Sequence, residues 1–221
     1  MSIMNKSNTV TVSDQPVVFV VDADVSVRDA LADLFRSVGL PVESFASAQE
    51  FLSSKRPDAP GCIVLDVRLP GQSGLEFQRT LMKSGILLPV IFISGHGDIS
   101  MSVEAIKAGA IDFLTKPLHE QKLLDAIQTG IERDRARRAE LRSTAQLRER
   151  FNSLTPRERE VFAIVVLGRQ NKLIAAELKL SEMTVKIHRG QMMRKMEAKS
   201  LVDLVRMSDT LKASPDNSRT P

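Results

Sequence analysis

Cysteine and the larger aromatic residues are almost missing from this chain of 221 residues. Cys62 is the only cysteine, so no internal disulfide can form, and a reducing compartment is the natural setting. Tryptophan and tyrosine are both absent, which disfavours binding of nucleic-acid bases by stacking on aromatic rings. Long apolar runs are lacking as well, since the first run, residues 17–21, is far too short to span a bilayer. These absences predict a cytoplasmic protein with no targeting segment and no membrane partner.

The formal net charge of only +4 hides an opposite net charge in the two parts of the chain. Residues 1–130 contain 11 basic and 15 acidic residues, which gives −4. Residues 131–221 contain 20 basic and 12 acidic residues, which gives +8. A basic half is either an ordinary solvated surface or an electrostatic footprint for phosphate groups, and charge alone leaves both interpretations open.

Short apolar runs alternate with amphipathic stretches over the first 130 residues. The runs are rich in Val and Ile, as expected for strands that are buried on both faces. Five such β–α repeats predict an α/β domain of the flavodoxin-like (βα)5 type, with a parallel sheet of strand order 2-1-3-4-5. The predicted strands are Val17–Val21, Val42–Phe45, Cys62–Asp66, Val90–Ser94 and Ile111–Leu114.

The composition changes after this region. Residues 131–152 hold seven arginines and four acids and predict an exposed helical linker that continues the fifth helix. Thr155, Pro156 and Glu158 then form the signature of a capping box at the start of a new helix. A small all-α domain with three or four helices is expected to follow. The predicted organisation is a disordered N-terminus at 1–15, an α/β domain at 16–130, a linker at 131–152, an all-α domain at 153–208 and a disordered tail at 209–221.

Polar side chains lie at the ends of four predicted strands. Asp22 and Asp24 follow the first strand, Asp66 ends the third, Ser94 ends the fourth and Lys116 follows the fifth. Each alone is often only a turn former or a helix cap. Because the carboxyl ends of parallel strands meet at one edge of a sheet, these groups are expected to converge. Carboxylates bind Mg²⁺, and a lysine and a hydroxyl stabilise phosphoryl oxygens, so the set predicts phosphoryl transfer to a carboxylate.

With these motifs, residues 16–130 resemble the receiver domain of two-component response regulators. The stretch 94–98, Ser-Gly-His-Gly-Asp, resembles the FixJ branch of that family. The family's fold agrees with the one predicted from the strand pattern. The roles that the resemblance implies are Asp66 as phosphoacceptor, Ser94 as switch hydroxyl, Lys116 as phosphate-contacting lysine, Phe113 as switch aromatic and the main-chain carbonyl of Arg68 as a metal ligand.

One position departs from the family pattern. Receivers usually carry two adjacent acids after the first strand, and the second is a direct metal ligand. Here Ala23 occupies that second position, and a methyl group cannot bind a cation. Asp22 and Asp66 then remain as the expected Mg²⁺ ligands, and Asp24 joins them only if the loop bends toward the metal. The alternative to a normal receiver is therefore a pseudo-receiver whose metal binding and phosphorylation are impaired.

Residues 153–208 resemble the LuxR/NarL-type helix-turn-helix domain. The matching stretches are 154–161, 171–178 and 181–189. Ser181 predicts the start of a helix that runs to about residue 197. At about 100° per residue, one stripe of this helix is apolar core and the opposite stripe faces outward. The core stripe is Val185, His188, Met192 and Met196, and the outward stripe is Met183, Ile187, Gly190 and Arg194, with Lys186 on its flank.

This outward stripe is the predicted DNA-binding face. Lys186 and Ile187 are expected to read bases, and Gly190 stands where family members can carry a base-reading side chain. Phosphate contacts position a protein on DNA without specifying a sequence. The candidate phosphate contacts are Lys172, Thr184, Arg189, Arg194 and Lys195.

Together the two resemblances imply a transcriptional regulator and not an enzyme. The implied partners are a sensor histidine kinase, double-stranded promoter DNA, a second copy of the chain on activation, and RNA polymerase. A hydrolase of the haloacid dehalogenase type also uses an aspartate nucleophile, but it needs an acid two residues further on, where this chain has Arg68. An adaptor without a DNA role is disfavoured by the basic second half.

Overall fold

The computed structural model describes residues 15–95 and 99–213. The chain divides into two compact units, Met1–Arg138 and Ala139–Pro221. Among the described residues no helix has both the length and the apolar character needed to cross a membrane. The elements in chain order are β1 (Val17–Val21), α1 (Val25–Ser37), β2 (Val42–Phe45), α2 (Ala48–Ser53), β3 (Gly61–Asp66), β4 (Arg68–Leu69), β5 (Gln72–Ser73), α3 (Gly74–Lys83), β6 (Val90–Ser94), α4 (Ile99–Lys107), β7 (Asp112–Thr115), α5 (Glu120–Asn152), α6 (Pro156–Val165), α7 (Asn171–Leu178), α8 (Glu182–Met196) and α9 (Leu201–Ala213).

A five-stranded parallel sheet forms the centre of the first unit, in the order β2-β1-β3-β6-β7. The two-residue strands β4 and β5 pair only with each other, so this order is the predicted 2-1-3-4-5 order and the flavodoxin-like fold is confirmed. In register, Asp66 lies opposite Ile93, and Ser94 lies opposite Thr115. The carboxyl ends of β3, β6 and β7 therefore meet at one edge, as parallel pairing requires.

The two faces of this sheet are covered by separate hydrophobic clusters, because successive strand residues point to opposite sides. Phe19, Leu65 and Phe92 lie in one cluster, which also holds the buried phenylalanines of α2 and α3. Val20 and Val64 lie in the other, which includes residues of α1 and α5. Burial on both faces explains why the three central strands, β1, β3 and β6, consist almost entirely of apolar residues.

Helix α5 departs from the exposed linker that the sequence indicated. It continues without a break to Asn152, but Ile131 and Asp134 are buried. Close packing of α5 on β3 is the reason, since a Cβ atom added at Gly130 would lie 3.0 Å from the Cβ of Cys62. The first two turns beyond residue 130 are thus part of the first unit, which ends at Arg138.

Helices α6 to α9 surround one apolar core in the second unit. The predicted capping box is present: the Thr155 hydroxyl accepts a hydrogen bond from the Glu158 N–H, and the Glu158 side chain accepts one from the Thr155 N–H. The prediction of a disordered tail from residue 209 is wrong for residues 209–213, which belong to α9. Leu211 packs against the core and explains this extension. Residues 1–14 and 214–221, for which disorder was also predicted, lie outside the described residues.

Candidate functional site

Two carboxylates and one ammonium group meet at the carboxyl edge of the sheet. Lys116 Nζ lies 2.8 Å from Asp22 Oδ2 and 3.2 Å from Asp66 Oδ1. Asp22 is 2% exposed and Asp66 8%, whereas the Lys116 side chain keeps about a quarter of its surface accessible. Asp22 and Lys116 are 94 positions apart in the chain, so the fold alone brings them together. The predicted convergence of these three residues is therefore present in the structure.

The pKa values of these groups reflect their partial burial. Burial and the neighbouring charge of Asp22 raise the pKa of Asp66, although Lys116 acts in the opposite direction. Burial alone would lower the pKa of Lys116, but its hydrogen bond and attraction to Asp22, together with Asp66, raise that pKa above its usual value. Lys116 consequently stays cationic beside a carboxylate that is more basic than usual. That combination suits a nucleophilic carboxylate with a permanent positive charge next to it.

The backbone around Asp66 approaches its carboxylate closely. The Arg68 N–H donates to Asp66 Oδ2 at 2.9 Å, which fixes one oxygen while the other faces Lys116. Arg68 also pairs with Ser73 in the short β4–β5 hairpin. A Cβ atom at Gly74 would lie 2.6 Å from the main-chain oxygen of Asp66, so only glycine fits at the start of α3. The role of the Arg68 carbonyl as a metal ligand stays a prediction.

Ser94 and Phe113 lie on the strands next to Asp66. Ser94 is 2% exposed at the end of β6, and its main-chain oxygen accepts the Lys116 N–H at 2.7 Å. Phe113 is half-buried on β7, with its ring centroid 6.3 Å from that of Phe92. Both are placed where a switch hydroxyl and a switch aromatic are expected, and the switch itself stays a prediction. Residues 96–98, within the stretch that resembles FixJ, lie outside the described residues.

The loop after β1, where the second acid of the family pattern is missing, is held by hydrogen bonds of Asp24 and Arg28. The Asp24 carboxylate accepts the Ser26 N–H at 2.9 Å and so caps α1, while the Asp24 N–H donates to Asp22 Oδ1 at 2.8 Å. Arg28 donates to the carbonyls of Asp22 and Ala23, at 2.7 Å and 3.0 Å. Sequence reasoning missed Arg28, because nothing in the pattern of α1 marks an arginine that turns back onto the loop before it.

This loop determines how well the site fits Mg²⁺. Receivers generally use that metal, which needs several oxygen ligands. Asp24 is engaged as a helix cap, and position 23 offers only a methyl group. Among the described residues there is no group of three or more His, Cys, Asp or Glu side chains that is able to hold a metal ion. The residues present therefore fit Mg²⁺ poorly.

Helix α8 presents the predicted DNA-binding face in the second unit. Ser181 caps it by accepting the Thr184 N–H at 3.1 Å. The predicted core positions of the helix at 185, 192 and 196 are fully buried, and His188 is half-buried. The outward stripe is exposed: Met183 is 67% exposed, Ile187 is 52% exposed, and Lys186, Gly190 and Arg194 are exposed as well.

Three predicted phosphate contacts already have partners within the unit. Lys195 Nζ lies 2.6 Å from the carboxylate of Glu158. Arg189 donates to the Asn171 side chain at 2.9 Å, and the Thr184 and Ser181 hydroxyls lie 2.8 Å apart. Lys172 and Arg194 are exposed and are the better candidates for phosphate contact.

The Glu158–Lys195 pair has the character of a structural ion pair. The Glu158 side chain is 2% exposed. Its burial by itself raises the pKa, but the hydrogen bond from Lys195 and those from Thr155 hold the pKa below its usual range. Lys195 therefore stabilises the unit whether or not it also contacts DNA.

Known families match both units. Residues 18–128 match the response regulator receiver domain, and residues 152–208 match the bacterial regulatory proteins of the luxR family. Nodulation protein W of Bradyrhizobium diazoefficiens is 54% identical over 205 residues, which cover 93% of this chain and 90% of that protein. Response regulator protein TodT of Pseudomonas putida is 48% identical over 198 residues, or 90% of this chain and 87% of that protein.

Solved structures agree with these matches. The response regulator StyR is 48% identical, with a TM-score of 0.80 over 88% of this chain and 98% of StyR. Full-length FixJ from B. japonicum is 34% identical, with a TM-score of 0.53 over 91% of this chain and 100% of FixJ. On both domain matches and these relatives, the chain belongs to the two-component response regulators of the FixJ/NarL family, transcription regulators that join a receiver domain to a LuxR-type helix-turn-helix DNA-binding domain.

Proposed function

We propose that Asp66 accepts a phosphoryl group from the phosphohistidine of a partner sensor kinase and that this modification controls homodimerisation and promoter binding. The observation that supports this most directly is the placement of Lys116 against both Asp22 and Asp66 at the open edge of the sheet. Because promoter DNA and the phosphohistidine of such a kinase are both found in the cytoplasm, we propose that the protein acts there. A promoter-bound dimer would have RNA polymerase as its next partner.

In this proposal each residue of the receiver site has a separate task. An Asp66 oxygen attacks phosphorus as the bond from phosphorus to the histidine nitrogen breaks, and the histidine nitrogen keeps the electron pair. The Arg68 N–H, 2.9 Å from Asp66 Oδ2, orients the nucleophile. The Lys116 ammonium neutralises charge on the transferred oxygens. The Ser94 hydroxyl then donates to a phosphoryl oxygen, and Phe113 moves with it, which changes the surface of α4 and β7.

The acceptor is tested by mass spectrometry of the intact protein. Incubation with a small phosphodonor and Mg²⁺ is expected to add the mass of one phosphate, and Asp66→Asn is expected to abolish that addition. Asp58→Asn is the matched control, since Asp58 is an exposed aspartate of the same unit outside this site. Labelling that persists in Asp66→Asn would place the acceptor at another residue.

A second candidate function is a pseudo-receiver that regulates DNA binding with little or no phosphorylation. Ala23 and the use of Asp24 as a helix cap favour it, because Asp22 and Asp66 are then the carboxylates that the described part of the site leaves for Mg²⁺. We expect weak Mg²⁺ binding and slow labelling, and Ala23→Asp should improve both. Asp24→Ala tests whether Asp24 is a replacement ligand. Loss of Mg²⁺ binding in this variant would show that Asp24 gives up its hydrogen bond at the start of α1 to bind the metal. Unchanged metal affinity and labelling rate in Ala23→Asp would rule out an impaired metal site.

DNA binding by the second unit is tested with the full chain. Affinity for duplex DNA should fall steeply with salt, because Lys and Arg contacts release counterions from the phosphates. Lys186→Ala should reduce discrimination between operator and random DNA, whereas Arg194→Ala should weaken both about equally. Binding that does not depend on salt, or no binding to any duplex, would contradict the assignment.

A further inference from the structure

The outward stripe of α8 is apolar in its N-terminal half. At about 100° per residue, positions 183, 187, 190 and 194 fall within a band about 60° wide, opposite the buried positions 185, 192 and 196. Met183 and Ile187 are the second and sixth residues of the helix, and both are more than half exposed. The N-terminal residues of a recognition helix are those that meet base edges. Two large apolar side chains thus occupy the positions where base contacts are expected.

Gly190, at the centre of the same stripe, has no explanation within the domain. A glycine inside a helix costs about 1 kcal/mol relative to alanine. Apart from Gly190 itself, its two chain neighbours and the nearby backbone of the same helix, no described atom lies within 4 Å of the place where a Cβ atom would stand, so packing does not require glycine. Its φ angle lies outside the left-handed region, so backbone conformation does not require it either. Glycine is also used where a ligand approaches the backbone closely.

Few polar groups compete for the base edges in this half of the helix. The Thr184 hydroxyl is bonded to Ser181, and the guanidinium of Arg189 is bonded to Asn171. Glu182 lies about 100° away from Met183 around the helix axis. Lys186 is the one exposed cation in the first six residues of α8, and it suits the acceptors of guanine.

We infer that α8 reads thymine methyl groups through Ile187 and Met183, with Gly190 allowing the helix to lie deep in the major groove. The C5-methyl group of thymine is the apolar group that the major groove displays, and exposed apolar side chains recognise it by contact. The expected half-site therefore combines thymines with a guanine read by Lys186. This inference rests on the proposed DNA-binding function and names the base chemistry that the same face recognises.

The test replaces thymine by uracil, which differs only in lacking the methyl group. The full-length protein first selects duplexes from a random library, and the preferred half-site is then synthesised with deoxyuridine at one thymidine position at a time. Affinity is measured by fluorescence anisotropy at fixed salt. At one or two positions we expect about fourfold weaker binding, the effect of removing one buried methyl-sized group. Ile187→Ala should bind the thymine and uracil duplexes equally at the position that Ile187 contacts, and Met183→Ala at the other.

The possible outcomes separate the inference from the function on which it rests. Failure to select any sequence or to bind any duplex would overturn the proposed function itself. Selective binding with equal affinity for thymine and uracil at every position would overturn the methyl readout alone. A thymine preference that survives in both alanine variants would also overturn it, since other groups would then be responsible.

Gly190→Ala provides a second, independent measurement. Because alanine favours the helix, this variant should be at least as stable to heat as the parent protein. If Gly190 allows close approach, the same variant should bind the selected duplex at least about tenfold more weakly, an effect comparable to the loss of one base contact. If Gly190→Ala binds the selected duplex as tightly as the parent protein does, close approach of α8 to the DNA is not part of its recognition.

Discussion

The two units of this protein build their functional surfaces in opposite ways. The receiver site is assembled from the ends of several strands, and its charged groups neutralise one another across long distances in sequence. The proposed DNA-binding face comes from a single helix, and its outward residues have few partners of their own. Charge removal in the first unit should therefore change the free energy of unfolding, whereas removal from the outward face of α8 should change binding to DNA. The neighbours Arg194 and Lys195 allow the same comparison within one helix, because Lys195 already has a charged partner whereas Arg194 is exposed.

The largest expected effect on stability lies at Asp134, which contacts the opposite end of β3 from Asp66. Its buried carboxylate accepts hydrogen bonds from the Gly61 N–H at 3.1 Å, from Arg137 Nη2 at 2.5 Å and from Arg138 Nε at 2.7 Å. Arg138 also pairs with Asp58. Asp134→Ala should lower the free energy of unfolding by about 3–5 kcal/mol, as expected when one member of a buried charge network is removed. Chemical denaturation with hydrogen exchange along α5 measures this.

A surface ion pair of the same unit is the control for Asp134. Arg79 and Glu104 lie 2.6 Å apart, but both side chains are more than half exposed. Glu104→Gln should cost less than about 1 kcal/mol, because solvent screens an exposed pair. A similar loss of unfolding free energy in both variants would show that burial does not determine how much a charged group of this unit contributes to stability.

The second-largest expected effect on stability comes from removing the charge of Lys116. Lys116→Met leaves Asp22 and Asp66 facing each other without a cation and should destabilise the receiver by about 2–3 kcal/mol at neutral pH, less than for a fully buried pair since Lys116 is partly exposed. Burial and Asp22 already raise the pKa of Asp66 in the folded state, and loss of Lys116 raises it further. The folded variant then binds a proton more tightly than the unfolded chain. Its stability should rise as the pH is lowered through the raised pKa of Asp66.

Urea denaturation of Lys116→Met and the parent protein at several pH values between about 4 and 8, a range that starts near the usual aspartate pKa and extends above it, measures this dependence. The difference in stability between the two proteins should shrink toward the acidic end. A constant difference over the whole range would show that Lys116 contributes through packing and not through the charges of Asp22 and Asp66.

The smallest effect on stability compares the adjacent residues Lys195 and Arg194. Lys195→Met removes the partner of the buried Glu158 carboxylate, which keeps only its cap to Thr155, and should cost about 1–2 kcal/mol. Arg194→Met should change stability by less than about 0.5 kcal/mol and yet weaken DNA binding, since Arg194 is exposed on the outward stripe. Thermal unfolding and anisotropy titrations on both variants make the comparison. Equal destabilisation would contradict the separate roles of the two residues.

Much of the fold and the site was predictable because its signals are local. Val- and Ile-rich runs with an acid, a serine or a lysine at their ends predict both the strand order and the edge where Asp66, Ser94 and Lys116 lie. The helical period predicts the buried and exposed sides of α8, including Met183 and Ile187 on the exposed side. The actual partners of Lys195, Arg189 and Thr184 were not predicted, because a cation or hydroxyl at a helix surface has the same pattern whether or not it already has a partner.

By itself, the sequence determined that the chain has an α/β receiver followed by a helix-turn-helix domain, and that an acid is missing at Ala23. Only the tertiary structure decided that α5 stays packed against the sheet beyond residue 130 and that the Asp134 carboxylate is buried there. The physical reason is the range of the contacts. Strand and helix periods arise between neighbours, whereas the bond from Gly61 to Asp134 joins residues 73 positions apart, and burial of such a charge depends on the whole fold.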